Sequence, residues 1–130
     1  MEWLSEAKEL GIPVGIASSS PVGSVQRHLL TLGLRDDFSC IVGRDGEIPA
    51  KPSPISYRTV CQRLDADPSC SVAVEDSPHG VAAAVSAGLF VVATPHGLTS
   101  NLDFSDASLV APSLGDLSLS NVLAKVALRL

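Results

Sequence analysis

The chain has 130 residues, enough for one domain with a hydrophobic core. Hydrophobic residues make up 45% of it and the mean hydropathy is +0.31, which excludes a disordered chain; because aromatic residues are only 4%, we expect an aliphatic core. The net charge is −5 and no cluster of basic residues stands out, which argues against nucleic acid and anionic membranes as partners.

Cysteine use and the apolar runs favour a cytoplasmic protein that does not span a membrane. Cys40, Cys61 and Cys70 are an odd number of cysteines without a CxxC pair, which fits a reducing cytosol better than a disulfide scaffold. The first ten residues have no basic start and no apolar centre, so they do not resemble a signal peptide. The longest apolar run, residues 81–94, is broken by a serine and a glycine and is too short to span a membrane.

Helical and strand patterns alternate along the chain, and turn residues separate them. The patterns predict helices near residues 1–10, 22–32, 55–64, 81–87 and 121–130, and strands at 12–17, 38–42, 72–74 and 90–93, with a possible last short strand within 107–110. We expect the Ser18–Pro21 loop to cap the helix that follows it. This alternation predicts an α/β fold with a Rossmann-like, mostly parallel sheet and helices on both faces.

Polar side chains of complementary kinds follow three of the predicted strands. Ser18 follows the first, Lys51 lies in the loop after the second, and Glu75 and Asp76 follow the third. In open α/β sheets the reactive groups lie just past the carboxyl ends of the strands. A hydroxyl and an ammonium suit phosphoryl oxygens and two carboxylates suit Mg²⁺, so the pattern predicts a phosphate site with a metal. The simpler alternative is that Ser18, Asp76 or Ser77 only cap helices and that Lys51 is a solvated lysine.

Signatures of several other chemistries are absent from the sequence. It contains no GxxxxGK[ST] or GxGxxG nucleotide cradle and no GxSxG elbow. His28, His79 and His96 have no partner at metal-ligand spacing, and we expect them on the surface or in loops; His79 follows the two acids closely and is the one that could approach them.

Three stretches together resemble the haloacid dehalogenase-like hydrolase superfamily, in the branch of β-phosphoglucomutase and sugar-phosphate phosphatases. GIASSSP resembles the second motif of the family, in which Ser18 and Ser19 would bind phosphate. AKPSP resembles the third motif, with Lys51 as the phosphate-binding and catalytic lysine. VAVEDSPHGVAAAVSAG resembles the fourth, with Glu75 and Asp76 on the Mg²⁺ side. The resemblance implies a Mg²⁺-dependent phosphatase or phosphomutase that acts on small phosphorylated metabolites through an aspartyl-phosphate.

The sequence departs from the family in one respect, because it has no DxD nucleophile motif after an apolar strand. Asp36 and Asp37 have the wrong spacing, whereas Asp65 and Asp67 have the right spacing but follow a predicted helix. Both pairs also come after Ser18, although the family has its nucleophile first. We therefore expect residues 1–130 to form a single, partial core domain that lacks the first strand and the helical cap domain and has little activity alone.

In the family, the first strand lies between the strand that ends at Ser18 and the strand that ends at Asp76. Without it, these two strands would either keep unpaired edges or pair with each other, and unpaired edges favour self-association. A fragment, a shortened fold and a chain that relies on a partner all fit this pattern. The alternative functions are a non-catalytic phosphate- or metal-binding or assembly module, and an α/β domain whose polar strand ends are only caps.

Overall fold

Helices and strands alternate in the computed structural model, which describes residues 2–129. Met1 and Leu130, the outer residues of two predicted helices, lie outside this range. The helices are α1 (Glu2–Leu10), α2 (Val22–Leu32), α3 (Ile55–Arg63), α4 (Pro78–Ala87) and α5 (Leu119–Leu128). The strands are β1 (Gly15–Ala17), β2 (Cys40–Val42), β3 (Val72–Glu75), β4 (Phe90–Ala93) and β5 (Leu109–Val110). The α/β fold is confirmed, including the last short strand.

The five strands form two parallel sheets rather than one. β1 pairs with β2, and β3, β4 and β5 form the second sheet in that order. Among residues 2–129, β1 and β3 have no ladder to each other. Of the two arrangements expected without the family's first strand, the structure therefore has the one in which β1 and β3 keep an open edge.

Side chains of β4 alternate between two hydrophobic clusters on opposite faces of the larger sheet. Val91 and Ala93 pack with residues of α3 and α4, whereas Phe90 and Val92 pack with Val122 and other residues of α5. Successive residues of a strand point to opposite faces, so a fully apolar strand needs cover on both. The predicted placement of helices on both faces is confirmed.

Helix α3 connects the two sheets, because it packs against β1 and β2 and also against α4. Its contact with β1 is close: a Cβ at Gly15 would lie 2.7 Å from Val60 Cγ1. A side chain at position 15 would push the strand away from the helix, so glycine sets the distance between β1 and α3.

Helix α1 is attached to the start of α5 by two hydrogen bonds. The Trp3 indole donates to the Leu117 carbonyl (3.1 Å), and the Leu119 N–H donates to Glu6 Oε2 (2.7 Å). No helix of the described residues is both long and apolar enough to cross a membrane.

The Ser18–Pro21 loop supplies the N-cap residue of α2, as predicted, but none of its side chains makes a capping bond. Pro21 is the N-cap residue and makes no side-chain capping bond. Instead, the Val22 N–H donates to Asp45 Oδ2 (2.7 Å), from the loop after β2. The predicted ends of β1 and β2 are right, but both strands begin later than predicted, and α4 begins three residues earlier, at Pro78.

Candidate active site

Lys51, Tyr57 and Glu75 form a buried polar cluster beside the carboxyl end of β3. Lys51 Nζ lies 2.5 Å from Glu75 Oε2, and the Tyr57 hydroxyl donates a hydrogen bond to the same oxygen. Lys51 Nζ also lies 5.1 Å from the centroid of the Tyr57 ring, within the range of a cation–π contact. One carboxylate oxygen therefore holds both an ammonium and a phenol.

Glu75 is the last residue of β3 and is only 7% exposed. Its carboxylate rests against the first turn of α4, since a Cβ at Gly80 would lie 1.8 Å from Glu75 Oε1. The N–H groups of that turn carry partial positive charge, which stabilises an anion there. Ser77 caps the same helix by accepting from the Gly80 N–H (3.1 Å), which confirms one of the capping alternatives.

Burial raises the pKa of the Tyr57 hydroxyl far above its usual range, and the negative charge of Glu75 raises it further. The hydroxyl therefore stays protonated at all physiological pH values. It acts as a hydrogen-bond donor to Glu75 and never as a second anion beside it.

Asp76 has different surroundings from its neighbour Glu75. Its side chain is 57% exposed, and its Oδ2 lies 2.9 Å from His96 Nε2. His96 belongs to the loop after β4, where its N–H donates to Thr99 Oγ1 (3.1 Å). Because Glu75 and Ala93 are partners in the β3–β4 ladder, the residues that follow them lie at the same sheet edge.

Ser18 and Ser19 follow β1, in the smaller sheet. Ser18 Oγ accepts from the Ser20 N–H (3.1 Å), and Ser19 is exposed. The preceding residue, Ala17, packs against the hydrophobic cluster that contains Tyr57. The two serines therefore lie at the carboxyl end of a strand that contacts the Tyr57 region, while the direct side-chain contacts join only Lys51, Tyr57 and Glu75.

The loops after β1 and β2 are held together by backbone contacts. Ser20 O accepts from the Arg44 N–H (3.0 Å), and a Cβ at Gly43 would lie 2.5 Å from Ser20 O. Only glycine allows this close approach. The loop of Ser18 and Ser19 is thereby fixed from its far end.

The residues fit part of a Mg²⁺ site. Asp76 offers one exposed carboxylate at a strand end, whereas Glu75 already holds Lys51 and Tyr57. Within residues 2–129 there is no group of three or more His, Cys, Asp or Glu side chains that could hold a metal. Mg²⁺ commonly uses one or two protein carboxylates together with waters and substrate phosphate oxygens. Asp76 is therefore suited to be one ligand among several.

Neither pair of closely spaced aspartates lies at the end of a strand. Asp36 and Asp37 are in a short 3₁₀ turn after α2. Asp65 follows α3 with a left-handed φ of 52°, and Asp67 caps the next 3₁₀ turn by accepting from the Ser69 N–H (2.9 Å). Neither pair is therefore located as the nucleophile motif of the family would be.

Sequence reasoning did not identify Tyr57 or His96 as part of the site. Tyr57 is the one tyrosine of the chain and falls on the buried side of the helix that follows Lys51. A buried tyrosine needs a partner for its hydroxyl, and this was the available signal. His96 was expected in a loop, which is where it lies; its contact with Asp76 depends on the pairing of β3 with β4. His79, which was expected on the surface or in a loop and could approach the acids, is exposed in the first turn of α4.

The family model for haloacid dehalogenase-like hydrolases matches residues 1–88, which carry Ser18, Lys51, Glu75 and Asp76. The chain belongs to the haloacid dehalogenase-like hydrolase family. Its fold agrees: the crystal structure of CbbY from Rhodobacter sphaeroides in complex with phosphate superposes with a TM-score of 0.86 at 32% identity, covering 91% of this chain and 54% of that one.

The proteins similar to this chain include members of the β-phosphoglucomutase and CbbY branch of the family. The β-phosphoglucomutase of Bacillus subtilis (strain 168) is 34% identical over 116 residues, 89% of this chain and 49% of that protein. The validoxylamine A 7'-phosphate phosphatase of Streptomyces hygroscopicus subsp. limoneus is 34% identical over 103 residues, 79% of this chain and 46% of that protein. The chain spans about half the length of the curated relatives it matches.

Proposed function

We propose that this chain supplies the phosphate- and metal-binding edge of a Mg²⁺-dependent phosphatase or phosphomutase that acts on small phosphorylated metabolites. One observation carries the proposal: the Lys51 ammonium is held against the buried carboxylate of Glu75, and the next residue, Asp76, offers an exposed carboxylate. Three similar proteins also support it, because their names refer to sugar-like phosphates: the phosphatase and the mutase described above, and a CbbY mutant crystallised with xylulose-1,5-bisphosphate.

In this proposal each residue has a separate role. Ser18, Ser19 and the catalytic Lys51 bind phosphoryl oxygens by hydrogen bonds and charge. Asp76 would be a ligand of Mg²⁺, because its carboxylate is exposed, and Glu75 would support the site from the buried side. The metal would neutralise the negative charge that develops on the phosphoryl group.

The aspartyl-phosphate mechanism implied by the resemblance needs one further residue, a nucleophilic aspartate at a strand end. The carboxylate oxygen would form a bond to phosphorus while the bond to the leaving alcohol breaks. Since neither aspartate pair of this chain is so located, we propose that the chain alone has little or no activity.

We further propose that residues 1–130 are one partial core domain, completed by a strand between β1 and β3. The strand order supports this, because within residues 2–129 β3 pairs only with β4; Val74 of β3 is also 40% exposed, although its ladder partner Val92 is fully buried. An open apolar edge of this kind would also allow self-association, which sedimentation at increasing protein concentration can test. The free thiols of Cys40, Cys61 and Cys70 support a reducing, cytoplasmic location.

Titration of the chain with Mg²⁺ and inorganic phosphate, beside an aryl phosphate assay, tests the proposal. We expect phosphate binding that Lys51→Ala weakens by about tenfold or more, because a charge-assisted contact is lost. The matched control is Lys125→Ala, which removes an exposed lysine from α5. Mg²⁺-dependent turnover by the chain alone, abolished by Asp76→Asn, would contradict the proposed inactivity.

A non-catalytic binding or assembly module is the second candidate. It is favoured by one observation: neither closely spaced aspartate pair of the described residues lies at the end of a strand, where a nucleophile would be needed. This candidate predicts binding of phosphate or Mg²⁺ without turnover, even after the missing part of the core has been supplied.

A further inference from the structure

Tyr57 is buried at the one point where the proposed phosphate-binding lysine meets an acid. The residue is 8% exposed, and its hydroxyl and Lys51 Nζ share Glu75 Oε2. A ring alone would fill the same space, so the hydroxyl adds something that packing does not require. Its effect must act through Glu75 and Lys51.

The Glu75 carboxylate is held from two sides. Tyr57 and Lys51 contact Oε2, and the other oxygen, Oε1, lies where a Cβ of Gly80 would be. Because the acid cannot move toward α4, the position of Oε2 is fixed, and the ammonium bound to it is fixed too. The Lys51 side chain is 14% exposed, so it is not fully closed off from solvent.

The hydroxyl also changes the balance of charge between the acid and the lysine. A buried carboxylate with a single cationic partner draws that cation strongly, since the local dielectric is low. A second donor on the same oxygen offsets part of the carboxylate charge. An ammonium has three donors, so two remain for an anion once one is used on Glu75.

We infer that Tyr57 is a positioning residue: by donating to Glu75 Oε2, its hydroxyl holds the Lys51 ammonium at the sheet edge and leaves it available to a phosphoryl group. The part that concerns phosphate rests on the proposed function. The part that concerns Lys51 depends only on the contacts among the three side chains.

One test uses the unaltered chain. Since the chain has a single tyrosine, ¹³C at Cζ of tyrosine gives one resonance. In a mixture of H₂O and D₂O, a hydroxyl held by a buried carboxylate exchanges slowly, and we expect two resolved Cζ lines. A single averaged line would overturn the inference, because it would mean that the hydroxyl exchanges freely with solvent.

A second test compares Tyr57→Phe with Val60→Ala, which removes packing from the same helix but no polar group. In ¹⁵N spectra of the lysine side chains, Lys51→Ala identifies the Lys51 signal. We expect Tyr57→Phe to shift this signal and speed its proton exchange, and Val60→Ala to leave both unchanged. An unchanged Lys51 signal in folded Tyr57→Phe, or equal changes in both variants, would overturn the inference.

Inorganic phosphate is then titrated into the unaltered chain, Tyr57→Phe and Val60→Ala. We expect Tyr57→Phe to weaken binding about tenfold and Val60→Ala to have little effect, because only the first removes a hydrogen bond to a charged group. If the unaltered chain does not bind phosphate, the proposed function fails, while the Cζ and Lys51 spectra still decide the role of Tyr57. If phosphate binds equally to all three proteins, the proposed function stands and the inference is wrong.

Discussion

Glu75 and Asp76 are adjacent residues with different surroundings. The sequence predicts two acids at a strand end, and both are there, but Glu75 is 7% exposed whereas the Asp76 side chain is 57% exposed. Glu75 is the last residue of β3, whereas Asp76 lies in the bend that follows the strand, so the two adjacent acids have different surroundings. Which acid is buried depends on Lys51, Tyr57 and Gly80, and the sequence does not show that these residues meet.

At the residue scale, Gly80→Ala should destabilise the chain by about 1–3 kcal/mol. The new Cβ would overlap Glu75 Oε1, and Glu75 cannot move aside because Lys51 and Tyr57 hold it. Helix propensity alone predicts the opposite sign, a gain of about 1 kcal/mol. Urea unfolding at neutral pH measures the change.

Gly23→Ala is the matched control for Gly80→Ala. Gly23 is exposed in the first turn of α2, and the atom nearest to its new Cβ would be Arg27 Nη1 at 3.5 Å. We expect this variant to be about as stable as the unaltered chain or slightly more stable. Gains of equal size in both variants would show that Glu75 is not fixed against α4.

At the scale of elements, the order of helices and strands follows from the sequence, whereas some local contacts do not. Alternating patterns predict β4 and α2 with the observed bounds. The side-chain acceptor at the start of α2 was not predicted, because Asp45 is 23 residues away from Val22 and reaches the helix only once β1 and β2 have paired. Helix and strand bounds follow from the residues of one segment, whereas the contact of Val22 with Asp45 depends on how two distant segments pack.

Asp45→Ala should therefore lower the free energy of unfolding by about 1 kcal/mol, the usual cost of losing a cap. The variant leaves the Val22 N–H without its acceptor and removes a link between the loop after β2 and α2. Thermal and urea unfolding measure the loss. Asp106→Ala, which removes an exposed aspartate elsewhere, should change stability much less; similar losses in the two variants would mean that only net charge matters.

At the scale of the whole molecule, the division into two sheets separates the predicted site residues. The sequence indicates a parallel sheet, and the resemblance implies a strand between β1 and β3, but pairing between distant segments cannot be read from either segment alone. The structure keeps these strands in separate sheets joined through α3. Ser18 and Ser19 consequently belong to one sheet, and Glu75 to the other.

The most direct test supplies the part of the family fold that this chain does not match. The part of CbbY from Cereibacter sphaeroides that this chain does not match is co-expressed with the 130 residues; the matched region covers 52% of CbbY at 32% identity. We predict that the two parts form a complex that hydrolyses an aryl phosphate in the presence of Mg²⁺, and that hydrolysis stops when the metal is chelated. Lys51→Ala should lower its rate by about 100-fold or more, since a group that stabilises transition-state charge is lost, whereas Lys125→Ala should not. A folded complex without Mg²⁺-dependent turnover, or with turnover that Lys51→Ala leaves intact, would contradict the account.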